Sequence, residues 1–148
     1  MGTQAQITKL TPQDRARWAE LWTGYLNFYK TSQPPEIYDF TWQRLFDGRL
    51  HGLGARDATG HLIGITHFLY HESAWSLTPV CYLQDLFVDP TLRGTGAGRG
   101  LIEGVAAAAK QAGVTRLYWQ TQAENTTARQ LYDRLAINRG FIRYDYTG

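Results

Sequence analysis

The sequence predicts a single α/β domain (α+β by some schemes) over residues 1–148, with a mixed, mostly antiparallel sheet of about six to seven strands flanked by helices. Three observations predict it. A chain of 148 residues with 43 % hydrophobic residues suits one domain with one packed core. Segments of strand and helix periodicity follow one another in the order β-α-α-β-β-β-α-β-α-β. Residues 80–121 read strand, glycine-rich turn, helix, strand, which implies a parallel pair with a right-handed crossover, whereas the strands before it look antiparallel.

Taken in order, residues 5–10 alternate weakly and read as a first strand. Thr11, Pro12 and Asp14 form a helix start: an N-cap hydroxyl, proline at the first helical position and an acid in the first turn. Over residues 15–29 the apolar positions Trp18, Leu21, Trp22, Tyr25, Leu26, Phe28 and Tyr29 mark one buried helical face. Pro34 and Pro35 break that helix, and a second spans 38–46 with Trp42, Leu45 and Phe46 on one side. Residues 47–52 read as a turn. Residues 53–56 and 62–70 are two strands joined by the Asp57–Gly60 hairpin turn. A polar loop carrying Trp75 leads into the strand at 80–88. A helix then runs to about Ala112, with Gly113 as its C-terminal stop. Residues 115–121 have strand composition, Asn125 opens a last helix with Ala128, Leu131, Tyr132 and Leu135 on one stripe, and 141–146 alternate as a closing strand.

Composition narrows the function classes. A net charge of +2 without a concentrated basic face argues against nucleic acid as the partner. No run approaches the roughly 18 apolar residues of a membrane span, and Met1 to Gln6 lacks the basic start and apolar run of a signal peptide. The single Cys81 cannot form an internal disulfide, which fits a reducing cytosol, so a cytoplasmic location is expected. His51, His61, His67 and His71 show no metal spacing; no metal is expected, and His61 and His67 read as structural.

The chemistry is concentrated between Val88 and Arg99, where Gly94, Gly96 and Gly98 lie between Arg93 and Arg99. A glycine turn leading into a helix holds phosphate, because the backbone can approach the ligand and the first-turn N–H groups point at it. No Lys-Ser or Lys-Thr follows, as a P-loop requires. The dinucleotide spacing Gly-x-Gly-x-x-Gly fails as well, since its last glycine would fall on Arg99 or Leu101. What remains is Arg-x-x-Gly-x-Gly, met by Arg93, Gly96 and Gly98. Farther along come Asn125, Ala128, Leu131 and Tyr132 in the pattern Asn-x-x-Ala-x-x-Leu-Tyr, followed by Gly140 and Phe141. Both motifs, in this order, resemble those of the GNAT superfamily of N-acetyltransferases. The segment between Leu131-Tyr132 and Gly140-Phe141 is slightly longer than that family's usual pattern. The ending, together with Tyr82-Leu-Gln-Asp-Leu-Phe-Val88, resembles a subgroup that includes polyamine (diamine) and histone-type acetyltransferases.

The resemblance implies a GNAT-like domain that transfers acetyl from acetyl-CoA to a primary amine of a small acceptor, polyamine-like or other, by direct attack in a ternary complex. It implies that Arg93, Gly94, Thr95, Gly96, Ala97, Gly98 and Arg99 hold the coenzyme's phosphates. It further implies that Leu86, Phe87 and Val88 offer backbone donors to the thioester oxyanion, that Asn125 and Ala128 meet the pantetheine arm, and that Tyr132 is the general acid for the leaving thiolate. An alkylamine with a pKa of about 10 must lose a proton before it attacks. Asp85, Glu72 or a water chain ending at either can take it. The diamine enzymes carry a glutamate where this chain has Gln84, and an amide cannot accept that proton, so the role of base is not carried to position 84. Tyr29, Glu72, Gln84 and Trp119 are expected around the acceptor, within an aromatic wall that also draws on Tyr25, Phe28, Trp42 and Trp75 and suits a cation. Against this, Trp18, Trp22 and Trp42 at helical spacing read as core rather than as pocket wall. The aromatic surplus and the closing strand suggest a homodimer, as in the polyamine-type relatives. Two other readings stay open: an enzyme acting on protein lysines or N-termini, and an acyl-CoA-binding regulatory module without turnover.

Overall fold

The computed structural model describes residues 4–92 and 94–148. Its sheet has five strands in sequential order: β1 (Gln6–Lys9), β2 (His51–Arg56), β3 (Leu62–His71), β4 (Val80–Val88) and β5 (Leu117–Tyr118). The first four pair antiparallel, and β4 and β5 pair parallel across the helix α3 (Ala97–Gln111), as the glycine-loop unit demands. Two helices, α1 (Arg15–Phe28) and α2 (Pro35–Asp47), precede β2, and α4 (Thr126–Leu135) follows β5.

Helices cover both faces of the sheet. Trp18, Leu21, Trp22 and Leu26 of α1 pack with Leu62, Ile65 and the partly buried Trp42 and Phe87. On the opposite face Leu101, Ile102 and Val105 of α3 pack on the sheet, and Leu131 and Tyr132 of α4 join the same side. Every residue of β3 from Leu62 to Phe68 is buried, the signature of a central strand covered on both faces. The spacing of Trp18 and Trp22 thus reflects core packing: both are buried, and Trp18 stacks between Trp22 and Trp42 at centroid distances of 5.5 and 4.9 Å.

The Thr11 start is a short 3-10 turn, Pro12–Asp14, that runs directly into α1. The Thr11 N–H donates to Asp14 Oδ2 at 2.8 Å, and Arg56 of β2 grips the same carboxylate through two bonds of 3.0 and 2.7 Å. This buried pair pins the entry of α1 to the sheet.

Three expectations are corrected. The sheet has five strands, not six to seven, and residues 141–146 form no strand. Phe141 and Tyr146 are 90 % and 94 % exposed, and β5 offers only Leu117 and Tyr118 as an edge on which a further strand could pair. Residues 115–121 shrink to that two-residue strand because β4 supplies partners only at Cys81 and Tyr82. The turn at 47–52 is shorter than expected: Gly48 takes the left-handed conformation that stops α2, and His51 and Gly52 already belong to β2.

Candidate active site

The site begins with an irregularity in β4. His67 pairs with Asp85 and Phe68 pairs with Leu83, so Gln84 is an extra residue, a β-bulge. The strict alternation that would send Gln84 and Asp85 to opposite faces is broken here. Just before the bulge, at Tyr82, the ladder with β5 ends. Beyond that point a small open cleft lies beside β4, lined by Tyr25, Tyr29, Gln84, Leu86, Trp119 and Tyr132, among others.

Past Tyr82 one edge of β4 has no strand partner among the described residues. The Asp89 N–H donates to the Ile63 carbonyl at 2.8 Å. By strand alternation the Phe87 N–H also faces β3, and those of Leu86 and Val88 face the open edge. The same alternation sends the Phe87 side chain to the α1 side, where it packs against the buried cluster around Trp22.

Next to this edge, Gly94 and Gly96 have φ of 79° and 70°, a region costly for residues with a Cβ, and Gly96 caps α3. The Ala97 N–H is taken by Thr95 Oγ1 at 3.3 Å, and the Gly100 N–H by the Gly96 carbonyl at 2.9 Å. The Gly98 and Arg99 N–H groups between them have no acceptor among the described residues. Gly98 is helical, and a Cβ there would come no nearer than 3.6 Å to any neighbour, that neighbour being Leu131 of α4. The fold itself does not need glycine at 98. Arg99 is exposed and pairs with Glu103 one turn along at 2.8 Å. Arg93 lies outside the described residues.

Tyr132 stands on α4 against Trp119, ring centroids 5.5 Å apart and edge to face. Burial, and secondarily the nearby Tyr29 phenol, raise its pKa above the ordinary tyrosine value, so it is a protonated donor at neutral pH. Tyr25 and Tyr29 are raised as well, by burial first and then by the charge of Asp85. Asp85 therefore lies beside two cleft tyrosines while its Oδ2 contacts His67 Nδ1 at 2.8 Å. Asn125 occupies the N-cap position of α4 but makes no capping bond; its Nδ2 donates to Thr121 Oγ1 at 3.3 Å. Ala128, one turn before Tyr132, is half-buried.

The structure thus brings together Tyr29, Gln84, Leu86, Trp119 and Tyr132, with Asp85 beside them, and sets the glycine turn next to α4. It does not bring in Glu72, which is exposed and contributes only a backbone carbonyl to His71, nor Trp75, which is 89 % exposed; Phe28, more than half exposed, meets the Tyr29 ring edge-on from outside the cleft lining. Trp42 belongs to the core. Sequence reasoning missed His67 as the partner of Asp85, since the cross-strand register that pairs them is set by a bulge with no sequence mark. Among the described residues no group of His, Cys, Asp and Glu side chains is placed to hold a metal ion.

A bulged strand, a left-handed glycine turn at a helix N-terminus and a partly buried phenol on the neighbouring helix thus lie side by side. Residues 15–136 match the Acetyltransferase (GNAT) family, and the chain belongs to that family as a GNAT-type acetyltransferase. It is 36 % identical over 145 residues to the D-amino-acid N-acetyltransferase HPA3 of Saccharomyces cerevisiae, a match covering 96 % of this chain and 90 % of that one. It is 30 % identical over 125 residues to the aminoglycoside N(6')-acetyltransferase type 1 of Stenotrophomonas maltophilia, covering 82 % and 78 %. In fold it matches the aminoglycoside N-acetyltransferase AAC(6')-Iy, solved in complex with CoA, with a TM-score of 0.82 over 100 % and 97 % of the two chains at 19 % identity. These relatives do not confirm the polyamine and histone subgroup.

Proposed function

We propose that this protein transfers acetyl from acetyl-CoA to the primary amine of a small molecule bound in the cleft beside β4. The observation that carries this is the convergence of Tyr132, Tyr29 and Gln84, with Asp85 beside them, on one cleft next to the glycine turn. Small-molecule amines are favoured because the relatives include enzymes named for D-amino acids and aminoglycosides.

The residues fit the donor. The pyrophosphate would meet the Gly98 and Arg99 N–H groups at the positive end of α3, with Arg93 and Arg99 as charge partners around Gly94, Thr95, Gly96 and Ala97. Glycine at 98, unneeded by the fold, keeps the approach clear. The pantetheine arm would run between β4 and α4, past Val88, Asn125 and Ala128. The thioester carbonyl would lie against the Leu86 N–H, with Phe87 fixing the strand from behind.

In the reaction the ammonium sits against Asp85 within the aromatic wall of Tyr25, Tyr29 and Trp119 and gives up one proton to Asp85 or to water held there. The free amine attacks the thioester carbon, forming the C–N bond. The oxyanion that develops is held by the Leu86 N–H, a contribution of about 3 kcal/mol for one such donor. The C–S bond then breaks and Tyr132 gives its phenolic proton to the thiolate, while the nitrogen sheds its second proton to solvent and solvent returns a proton to the Tyr132 phenolate. Gln84 contributes hydrogen bonds to the acceptor rather than proton transfer. The working form is a cytoplasmic homodimer, and the protein needs no metal, nucleic acid or membrane.

The test is an acceptor screen by release of CoA thiol, with D-phenylalanine, kanamycin, spermidine and a histone peptide. Turnover of a small amine supports the reading. Turnover confined to the peptide transfers it to protein acetylation. Binding of acetyl-CoA with no turnover of any amine marks a regulatory module.

A further inference from the structure

Between α1 and the β3–β4 pair runs a buried polar chain that apolar packing does not require. The Trp18 indole N–H donates to His67 Nε2 at 2.9 Å, and His67 Nδ1 meets Asp85 Oδ2 at 2.8 Å. Trp18 is fully buried and His67 is 1 % exposed. An indole nitrogen can only donate, so Nε2 must accept, and the imidazole proton must sit on Nδ1. Nδ1–H therefore donates to the Asp85 carboxylate. Protonating the ring would set two N–H donors against each other. The main chain of Asp85 is held too, its carbonyl accepting the hydroxyl of the fully buried Thr66 at 2.8 Å. On the cleft side the charge of Asp85 is felt by Tyr25, Tyr29 and Tyr82.

Burying an imidazole and an indole N–H in a core otherwise made of Trp, Leu and Ile costs free energy unless both are satisfied, and an apolar ring would fill the same space without that requirement. Here both are satisfied, and the chain leads to the one carboxylate at the bulge, which the Tyr25 hydroxyl also meets from the cleft side. We propose that His67 is a positioning residue for acetyl transfer: its Nδ1–H, fixed in that tautomer by Trp18, holds the Asp85 carboxylate turned toward the acceptor amine. The order of the chain also sets its chemistry. Because Nε2 is occupied, His67 cannot pass a proton onward, so the dyad orients a negative charge and does not relay protons. The inference rests on the reading of Asp85 as part of the acceptor site.

Steady-state kinetics with D-phenylalanine test it on His67→Phe, His67→Asn and Asp85→Asn. His67→Phe removes the donor, and misplacement of the carboxylate is expected to lower kcat/KM for the amine by roughly 10- to 100-fold, with KM for acetyl-CoA unchanged. His67→Asn, whose amide N–H can stand in for Nδ1–H, is expected to recover most of that loss. If both His67 variants lose thermal stability alike while KM and kcat for the amine stay at wild-type values, the residue is only structural and the proposal is overturned. If Asp85→Asn also leaves the kinetics unchanged, the acceptor-site reading of Asp85 is what failed; if Asp85→Asn is impaired and His67→Phe is not, the role of His67 alone falls. Long-range proton–nitrogen NMR on the wild-type protein gives a readout independent of variant folding. The proposal requires a neutral ring protonated at Nδ1, and an Nε2–H tautomer or an imidazolium at neutral pH overturns it.

Discussion

Tyr132 lies edge-on to Trp119, ring centroids 5.5 Å apart, which sets the phenol at the cleft while most of its ring is shielded from water. Burial keeps the phenol protonated, and a protonated phenol beside the leaving sulfur is what the last step needs. Tyr132→Phe keeps the ring packing and removes only the hydroxyl. Its kcat is expected to fall roughly 100-fold or more, with acetyl-CoA affinity by calorimetry within about twofold of wild type. An unchanged kcat assigns the acid role to another group.

Gly98 separates binding from folding. An alanine there meets nothing closer than 3.6 Å and replaces glycine inside a helix, so thermal stability should hold or rise by up to about 1 kcal/mol. The added methyl group blocks the approach to the first-turn N–H groups, and acetyl-CoA binding is expected to weaken at least tenfold. Gly94→Ala behaves differently. With φ at 79° it should cost about 1 kcal/mol or more of stability, read from the denaturation midpoint.

Acid stability is expected to follow Asp14. Burial alone would raise its carboxyl, but the Arg56 bonds and the Thr11 N–H hold it below the ordinary carboxylate value. A depressed folded pKa stabilises above the unfolded value of about 4 and is lost as pH falls through the folded one. The unfolding free energy should therefore drop between about pH 5 and pH 3, and Asp14→Asn should flatten that slope while costing about 2 kcal/mol at pH 7. Denaturant titrations across this range measure both. A slope unchanged in the variant places the acid-labile contact elsewhere.

Cys81 is fully buried, and burial pushes its thiol up to about 11. Only about one thiol in a thousand is ionised at pH 8, and it is covered. Iodoacetamide is expected to label Cys81 at the rate of global unfolding in the native protein, and within minutes in denaturant. Rapid labelling of the native protein would mean that the β4 interior opens locally.

The glycine turn and α4 were legible because their residues serve local geometry. Gly94 and Gly96 must be glycine for φ, and Tyr132 follows Asn125 at helical spacing, so both signals lie within a few residues of sequence. The cleft beside β4 was not legible in the same way. Tyr25 and Tyr29 reach the cleft from α1, and their helical spacing shows only that they are on one face. His67 meets Asp85 across two strands whose register depends on the bulge at Gln84, and no residue type announces a bulge of this kind. The closing strand misled because alternation at 141–146 describes what those residues could pair with, whereas the edge they needed ends after Tyr118. Trp18 and Trp22 read as core from their helical spacing, and both are buried.

The most direct measurement of the central claim is a crystal structure of the acetyl-CoA complex. The account predicts the pyrophosphate on the Gly98 and Arg99 N–H groups, the thioester oxygen within hydrogen-bonding distance of the Leu86 N–H, and the sulfur within reach of the Tyr132 hydroxyl. Acetyl-CoA bound away from the glycine turn, or with its sulfur turned away from Tyr132, would contradict it.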